Sequence, residues 1–277
     1  MIFKAACVQL SCSDDLDANI RTAEALVAQA IAQGAQFIAL PENAFLMEDH
    51  GKKQYRAAQT AEQHPGVAMC RLLAKQHAVW ILVGSIGAPD PVAEGKIYNM
   101  SVLIDAEGNI LRQYPKIHLF DVDLGNGESY RESNRVSGGC EGVLAQLPWA
   151  KLGLSICYDI RFPHLYRGLA KAGAEILAIP AAFTKVTGEA HWEVLLRARA
   201  IENGCFVIAP AQWGEHPGKR FTYGHSMIIN PWGEVIADAG HGTGIIVTDI
   251  DMEEVGKARG RIPSLNHDRD YSIGSLA

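Results

Sequence analysis

The sequence predicts an α/β fold in which mixed β-sheets are covered by helices. Short apolar segments typical of buried strands alternate with segments whose apolar residues recur at helical spacing. Two further segments have the pattern of antiparallel hairpins, so a purely parallel sheet is not expected. The chain has 277 residues and is 48% hydrophobic, which is enough apolar material for one sizeable core.

The first half of the chain begins with a strand–helix–strand pattern. Asp14 and Asp15 can cap the start of the first helix, and Gly34 can end it. The predicted helices cover residues 16–33 and 68–76, and the predicted strands cover residues 2–10, 37–40 and 79–84. A hairpin follows, with strands at 99–104 and 109–114 around a turn at 105–108.

The second half of the chain continues this alternation. Pro163 suits the first turn of a helix that runs to Ala172 and is ended by Gly173. A further helix is predicted at 191–203, with strands at 152–156, 175–179, 205–209 and 244–250. Residues 226–235 resemble residues 101–110, which predicts two sheets of similar build facing each other. The alternative is that both segments are merely common turn sequences.

Composition limits the domain organisation and the classes of partner. No linker or low-complexity tract interrupts residues 1–277, so we predict a single domain with an extended tail from about residue 259. The formal net charge of -6 comes from interspersed acidic and basic residues, which argues against a nucleic-acid partner. No segment is apolar for long enough to span a bilayer, and the start lacks a signal-peptide pattern. We therefore expect a cytoplasmic protein with no membrane partner.

The cysteines and histidines do not form a metal-binding pattern. The six cysteines contain no C-x-x-C motif, and the ten histidines contain no H-E-x-x-H motif. We therefore expect no metal site, and free thiols in a reducing compartment.

Three reactive side chains follow predicted strands. Glu42 comes after the strand at 37–40, Lys116 after the strand at 109–114, and Cys157 at the end of the strand at 152–156. Taken singly, each residue has an ordinary interpretation: Glu42 as a turn glutamate, Lys116 as a surface lysine and Cys157 as a small buried side chain. Active sites of α/β folds collect at strand ends, however, so the three together are candidate catalytic residues.

The segments around these residues resemble the nitrilase (carbon–nitrogen hydrolase) superfamily. The matching segments are 40–43, 114–120 and 156–163, in the family's order, and the similarity extends from residue 5 to residue 249. The resemblance implies a four-layer α-β-β-α sandwich with two mixed sheets face to face, no cofactor, and a homodimer or larger homo-oligomer. Segments 132–134, 190–202, 223–227 and 230–233 are similar to its Nit branch, the amidases of deaminated glutathione. One departure is at 137–139, where the family usually has Pro–Gly.

The chemistry of these groups suits amide hydrolysis through a cysteine thioester. Cys157 supplies the nucleophile, and Glu42 can take and return the proton. Lys116 and the backbone N–H of Tyr158 can stabilise the oxyanion. A helix start directly after Cys157 is expected to lower the thiol pKa. The resemblance adds a second glutamate, Glu132, as a supporting residue.

Several candidates for substrate binding and structural roles lie near these motifs. Glu128 is a rival for the position of the second glutamate. Arg161 and Phe183 are candidates for the substrate pocket, although Arg161 alternatively pairs with Asp159 or Glu175. Further basic candidates for binding substrate carboxylates are Arg131, Arg135 and Lys185. Residues expected to have structural roles are His118, His191 and Trp192.

The leading hypothesis is an amidase of deaminated glutathione, and several alternatives remain open. Within the superfamily these are an ω-amidase for 2-oxoglutaramate or a hydrolase of N-carbamoyl compounds, with a true nitrilase less favoured. A papain-like Cys–His hydrolase would need a partner histidine. A non-catalytic scaffold on the same fold would be expected to have lost Glu42, Lys116 or Cys157, and all three are present.

Overall fold

The computed structural model describes residues 1–48, 57–125 and 128–274. Most strands of this part form two six-stranded sheets. The first sheet contains β1 (Ile2–Gln9), β2 (Phe37–Ala39), β3 (Trp80–Pro89), β4 (Ile97–Ile104), β5 (Ile110–Pro115) and β16 (Gly244–Asp251). The second contains β8 (Val143–Gln146), β9 (Lys151–Leu154), β10 (Ile176–Ala178), β11 (Phe206–Ala209), β14 (Met227–Ile229) and β15 (Val235–Asp238). The small hairpins are β6 (Asp121–Gly125) with β7 (Glu128–Arg131), and β12 (Trp213–His216) with β13 (Arg220–Tyr223).

The two sheets have the same pattern of strand pairing. In the first, β1, β2 and β3 are parallel and are flanked by antiparallel β16 on one side and by β4 and β5 on the other. In the second, β9, β10 and β11 are parallel and are flanked by antiparallel β8 and by β14 and β15. The prediction of two sheets of similar build is therefore confirmed, and the two similar segments are the β4–β5 and β14–β15 hairpins.

Alternate residues of β1 enter two different parts of the core. Ala5 and Cys7 belong to an apolar cluster that joins both sheets, whereas Ala6 and Val8 pack with helices on the outer face of the first sheet. This follows from the two-residue period of a strand. Both faces of the sheet are buried, which explains why β1 lacks polar alternation. The layers are therefore helix, sheet, sheet and helix, as expected from the resemblance.

The helices cover the outer faces of the sandwich. They are α1 (Leu16–Ala32), α2 (Pro65–His77), α3 (Pro163–Lys171), α4 (Lys185–Asn203) and α5 (Glu253–Arg261). Asp15 caps α1 by accepting a hydrogen bond from the backbone N–H of Ala18, as predicted. No helix in the described ranges combines the length and apolar character needed to cross a bilayer.

Several boundaries differ from the sequence prediction: β3 continues to Pro89 and α2 begins at Pro65, and two further differences concern helices in the second half of the chain. Helix α4 begins at Lys185 rather than at residue 191, because its first six residues lack apolar periodicity but still fold against β13. Gly188 permits this contact, since a Cβ there would lie 2.3 Å from that of Tyr223. Helix α5 continues to Arg261, past the predicted start of the tail, and Arg259 donates a hydrogen bond to the carbonyl of Ala174.

The β12–β13 hairpin is fastened to the sandwich by His216. Its Nδ1 lies 2.8 Å from the carbonyl oxygen of Cys12, and its Nε2 lies 2.6 Å from the hydroxyl of Thr222. A neutral ring that donates from Nδ1 and accepts at Nε2 satisfies both contacts. Burial keeps the ring neutral by lowering the pKa of His216 to about 4.

We expect His216 to make the protein sensitive to mild acid. In the unfolded chain its pKa is near the ordinary 6.5, so the unfolded state takes up a proton between pH 6.5 and 4 while the folded state does not. Stability present above pH 6.5 is therefore lost as the pH falls through this window. At about 1.4 kcal/mol per pKa unit the loss is about 3 kcal/mol.

His216→Asn keeps a donor for Cys12 and removes this titration. Urea unfolding of both proteins at several pH values between 4 and 7 measures the difference. The free energy of unfolding should fall less steeply with acid in the variant. Equal slopes would contradict a neutral buried His216.

Candidate active site

The ammonium of Lys116 lies between two carboxylates. Its Nζ is 3.0 Å from Oε1 of Glu42 and 2.9 Å from Oε2 of Glu132. Lys116 is 1% exposed and Glu42 is 3% exposed, so this is a buried charge cluster. The structure thus brings together three of the residues named from the sequence, although they are separated by up to 90 positions in the chain. The side chain of Glu128, the rival of Glu132, lies outside the described residues.

Further hydrogen bonds fix the two carboxylates. The amide nitrogen of Asn99 donates to Oε1 of Glu42 at 2.8 Å and to Oε1 of Glu132 at 3.2 Å. The backbone N–H of Ala182 donates to Oε2 of Glu42 at 2.8 Å, and that of Phe120 donates to Glu132. The sequence analysis did not identify Asn99 as a site residue. The only indication in the sequence was that a polar residue lies within the apolar strand β4.

Cys157 sits at a sharp bend after β9. Its φ of 47° is in the left-handed region, which non-glycine residues rarely adopt. The bend is held by the backbone N–H of Cys157, which donates to the carbonyl of Pro180, and by Asp159, which accepts from the N–H of Ile156. Asn43, directly after Glu42, also has a left-handed φ, of 54°. Both bends turn the chain at the point where the reactive side chain must leave the sheet.

The charges of the cluster set the protonation states. Burial alone would raise the pKa of Glu42, but the Lys116 ammonium, together with hydrogen bonding to Cys157, lowers it below its usual range. Burial opposes the charge of Lys116, but Glu132 and Glu42 raise its pKa above the usual value. Burial and the negative charge of Glu42 raise the pKa of Cys157 well above its usual value. The resting site is therefore a thiol beside a carboxylate and an ammonium.

This finding corrects the expectation that a helix start lowers the thiol pKa. Cys157 begins a short 3-10 helix that ends at Arg161, and α3 begins only at Pro163. Burial and the adjacent Glu42 carboxylate dominate, so thiolate formation requires that Glu42 accept the proton.

The cluster opens into a cavity of about 660 Å³. Cys157, Tyr158 and Phe183 line it, as the sequence analysis expected, and so do Arg131 and Arg135. Among its described lining residues, five are cationic and three are acidic, whereas the whole chain carries a net charge of -6. The cationic residues are Lys116, Arg131, Arg135, Lys219 and Arg220, and the acidic residues are Glu42, Glu48 and Glu132. The cavity is therefore suited to an anionic ligand.

Two basic candidates lie outside the cavity lining. Arg161 was expected to contact substrate, but its guanidinium lies over the Phe183 ring, 5.4 Å from the centroid, and 3.3 Å from Nδ1 of His191. Lys185 begins α4 and likewise does not line the cavity.

Two of the residues expected to be structural make structural contacts. His118 stacks on Phe162 and lies 2.7 Å from Asp159 through its Nδ1. Trp192 is fully buried and donates a hydrogen bond to the carbonyl of His225. Asp159 also accepts from the hydroxyl of Tyr114, so it is not available to pair with Arg161. Sequence reasoning missed Lys219 and Arg220, which lie on the β12–β13 hairpin just before the recognised segment 223–227.

Comparison with known proteins defines the class of enzyme. Residues 4–260 match the model of the carbon–nitrogen hydrolase family. The chain belongs to the carbon–nitrogen hydrolase family, and it is an enzyme that hydrolyses amide bonds.

The named relatives are amidases, and the solved relatives share the fold. The chain is 45% identical to the deaminated glutathione amidase of Synechocystis over 96% of its own length and 97% of that protein. It is 41% identical to the enzyme of the same name from Dictyostelium discoideum, covering 96% of this chain and 94% of that one. The NitFhit protein of C. elegans has 36% identity and a TM-score of 0.90 over 97% of this chain. The chain spans 65% of that longer protein.

We predict that Glu42→Gln separates thiol reactivity from turnover. Removing the negative charge lowers the pKa of Cys157, because the opposing Lys116 ammonium remains. The pH midpoint for alkylation of Cys157 by iodoacetamide should therefore fall, as followed by mass spectrometry of the Cys157 peptide. Turnover should fall by about 10²–10⁴ because the proton carrier is gone.

Glu132→Gln is the matched control, since it removes a neighbouring charge that does not bear directly on the thiol pKa. Its alkylation midpoint should stay close to that of the native protein. An unchanged or higher midpoint in Glu42→Gln would overturn the assignment of the raised thiol pKa to Glu42.

Proposed function

We propose that the protein hydrolyses deaminated glutathione, giving 2-oxoglutarate and Cys-Gly through a thioester on Cys157. The observation that carries this proposal is a thiol beside the buried Glu42–Lys116 pair in a cavity with an excess of cationic side chains. The names of the relatives from Synechocystis and Dictyostelium discoideum support the choice of substrate.

The first half of the proposed reaction forms the thioester. Glu42 accepts the thiol proton, and the sulfur of Cys157 attacks the amide carbon. The carbonyl oxygen takes the negative charge, and the Lys116 ammonium and the N–H of Tyr158 stabilise it. The carbon–nitrogen bond then breaks, and the leaving amine takes the proton from Glu42.

The second half releases the acid. Glu42, again a carboxylate, takes a proton from water, and the hydroxide attacks the thioester carbon. The carbon–sulfur bond breaks, and the sulfur recovers its proton from Glu42. The role of Glu132 in this scheme is to hold Lys116, whose Nζ it contacts through both oxygens at 3.2 and 2.9 Å.

The charge of the cavity favours this substrate over smaller amides of the same superfamily. Deaminated glutathione has a carboxylate at each end of the molecule, with the scissile amide between them. 2-Oxoglutaramate and N-carbamoyl-β-alanine each carry one carboxylate. Four cationic lining residues other than Lys116 suit the ligand with two carboxylates better.

We also propose that the protein acts as a homodimer, in the cytoplasm, with α4 at the dimer interface. Val186, Val194 and Ile201 on α4 are 62%, 68% and 52% exposed, and spacings of eight and seven residues place them on one helix face. The turn carrying Trp232, itself 48% exposed, lies against Ile201 and extends this apolar surface.

The proposed location in the cytoplasm is supported by the free cysteines. They include the exposed Cys140 and suit a reducing compartment.

A substrate panel tests the proposed reaction. Turnover should be fastest with deaminated glutathione, slower with 2-oxoglutaramate, and lowest with N-carbamoyl-β-alanine and simple nitriles. Cys157→Ala should abolish all of it, because no thioester can form. Liquid chromatography of the products gives the rates, and the appearance of Cys-Gly rather than ammonia identifies the bond that breaks. Equal or faster turnover of the other compounds would refute the proposed substrate.

A charged residue on α4 tests the proposed dimer. Val194→Arg should shift the sedimentation coefficient from dimer to monomer, since a charge would be buried at the interface. Val92→Arg is the matched control, because Val92 is 89% exposed in a loop between β3 and β4. A native protein that sediments as a monomer, or a Val194→Arg variant that remains dimeric, would exclude this interface.

A further inference from the structure

Two guanidinium groups in the cavity have buried nitrogens without hydrogen-bond partners. These are Nε of Arg220 and Nη1 of Arg135. Both arginines are half-buried, but these two nitrogens are inaccessible to solvent. Nearly all buried polar groups in native proteins have a partner, and a buried donor without one is costly. Neither guanidinium forms an ion pair within the described part of the chain. Unpartnered donors that line a cavity beside a nucleophile point to an acceptor on the ligand.

Arg220 is anchored near the Glu42 carboxylate by one hydrogen bond and one ring contact. Its Nη2 donates to the carbonyl of Ala182 at 2.9 Å, and its Cζ lies 5.5 Å from the centre of the Tyr130 ring. The N–H of the same Ala182 donates to Glu42. One residue therefore links Arg220 to the catalytic carboxylate, and the positive charge of Arg220 helps to lower the pKa of Glu42.

Arg135 is anchored to the segment that carries the other carboxylate. Its backbone N–H donates to the carbonyl of Glu132 at 3.1 Å, and its carbonyl accepts from the N–H of Ile97 at 3.0 Å. Arg220 is thus tied to the Glu42 end of the charge cluster, and Arg135 to the Glu132 end. A ligand that spans the cluster would meet both guanidinium groups.

We propose that Arg220 and Arg135 determine substrate specificity by binding two different carboxylates, one on each side of the scissile amide. Arg220 binds the carboxylate of the acyl part, because its hydrogen bond to Ala182 keeps it near Glu42, the carboxylate that faces the Cys157 thiol. Arg135 binds the carboxylate of the amine part. This inference rests on the proposed function and deepens it. The preferred substrate class is an acyclic amide with a carboxylate in both halves.

Kinetics of two substrates separate the two roles. Arg220→Gln should raise KM by about 10–100-fold for both deaminated glutathione and 2-oxoglutaramate, which share the acyl part. Arg135→Gln should raise KM to a similar extent for deaminated glutathione alone. Arg220→Lys keeps the charge but loses the planar donor geometry, so it should recover only part of the loss.

Lys219→Gln and Arg131→Gln are the matched controls. Each removes one positive charge from the same cavity lining, but both side chains are exposed, and Arg131 already donates to the carbonyls of Val122 and Tyr130. Their KM values should change by less than about 3-fold, as for exposed charges. Butanamide has no carboxylate, so the change in KM for deaminated glutathione divided by the change for butanamide isolates the carboxylate contact. This ratio should be large in Arg220→Gln and Arg135→Gln and close to one in both controls. Arg220→Gln behaving like Lys219→Gln would overturn the proposal.

A binding experiment that needs no turnover keeps this inference separate from the proposed function. Glutarate should protect Cys157 from iodoacetamide in the native protein and in Lys219→Gln, but not in Arg220→Gln. If the native protein fails to hydrolyse deaminated glutathione but shows this Arg220-dependent protection, the proposed substrate is wrong and the carboxylate site stands. If hydrolysis occurs and protection does not depend on Arg220, the carboxylate site is wrong.

Discussion

The ammonium of Lys116 is buried between the carboxylates of Glu42 and Glu132, and taking these three charges out of water carries a large free-energy penalty. The penalty is offset only while the geometry is maintained, so everything that positions the three groups also stabilises the charges. Asn99 bridges the two carboxylates, and backbone N–H groups of Ala182 and Phe120 complete their hydrogen bonding. Loss of one partner of such a cluster typically costs about 3–5 kcal/mol, because it leaves an uncompensated charge. Catalytic geometry and stability thus depend on the same contacts.

The matching strand order of the two sheets explains how catalytic residues that are distant in the chain come together. Glu42 follows β2 and Lys116 follows β5 of the first sheet, whereas Cys157 follows β9 of the second. Because the sheets pack face to face, the ends of these strands open onto one cavity. Gln212 strengthens the contact between the two halves of the sandwich, since its side chain donates hydrogen bonds to the backbone carbonyls of Glu42 and Asn43. The nucleophile and its proton carrier therefore come from opposite sheets.

The sequence predicted the parts of the site that depend on local pattern. Glu42, Lys116 and Cys157 follow apolar strands, and strand ends can be recognised from a few neighbouring residues. Asn99 was missed because a polar residue in a strand reveals nothing about the carboxylates it will meet. Arg220 was missed because its placement depends on a contact with Ala182, 38 positions earlier in the chain.

Proximity in sequence was a poor guide to proximity in space. Arg161 ends the 3-10 turn that Cys157 begins, yet its guanidinium lies over the ring of Phe183 and does not line the cavity. The same turn separates Cys157 from the start of α3, so the thiol responds to its buried neighbours rather than to a helix dipole. The start of α4 was predicted six residues too late. Its first turns are stabilised by packing against Tyr223, and such a contact leaves no periodic pattern of apolar residues in the sequence.

The left-handed backbone at Asn43 and Cys157 has a consequence for how this scaffold can vary. Cys157 itself has the left-handed φ, and Asn43 has it directly after Glu42, so each single-residue bend sets the path of the chain at a reactive residue. An insertion or deletion next to either bend would displace the reactive residue from the cavity even if every strand survived. Length variation among related chains should therefore accumulate in connections such as that between β3 and β4, and chain length on either side of these bends should be almost invariant.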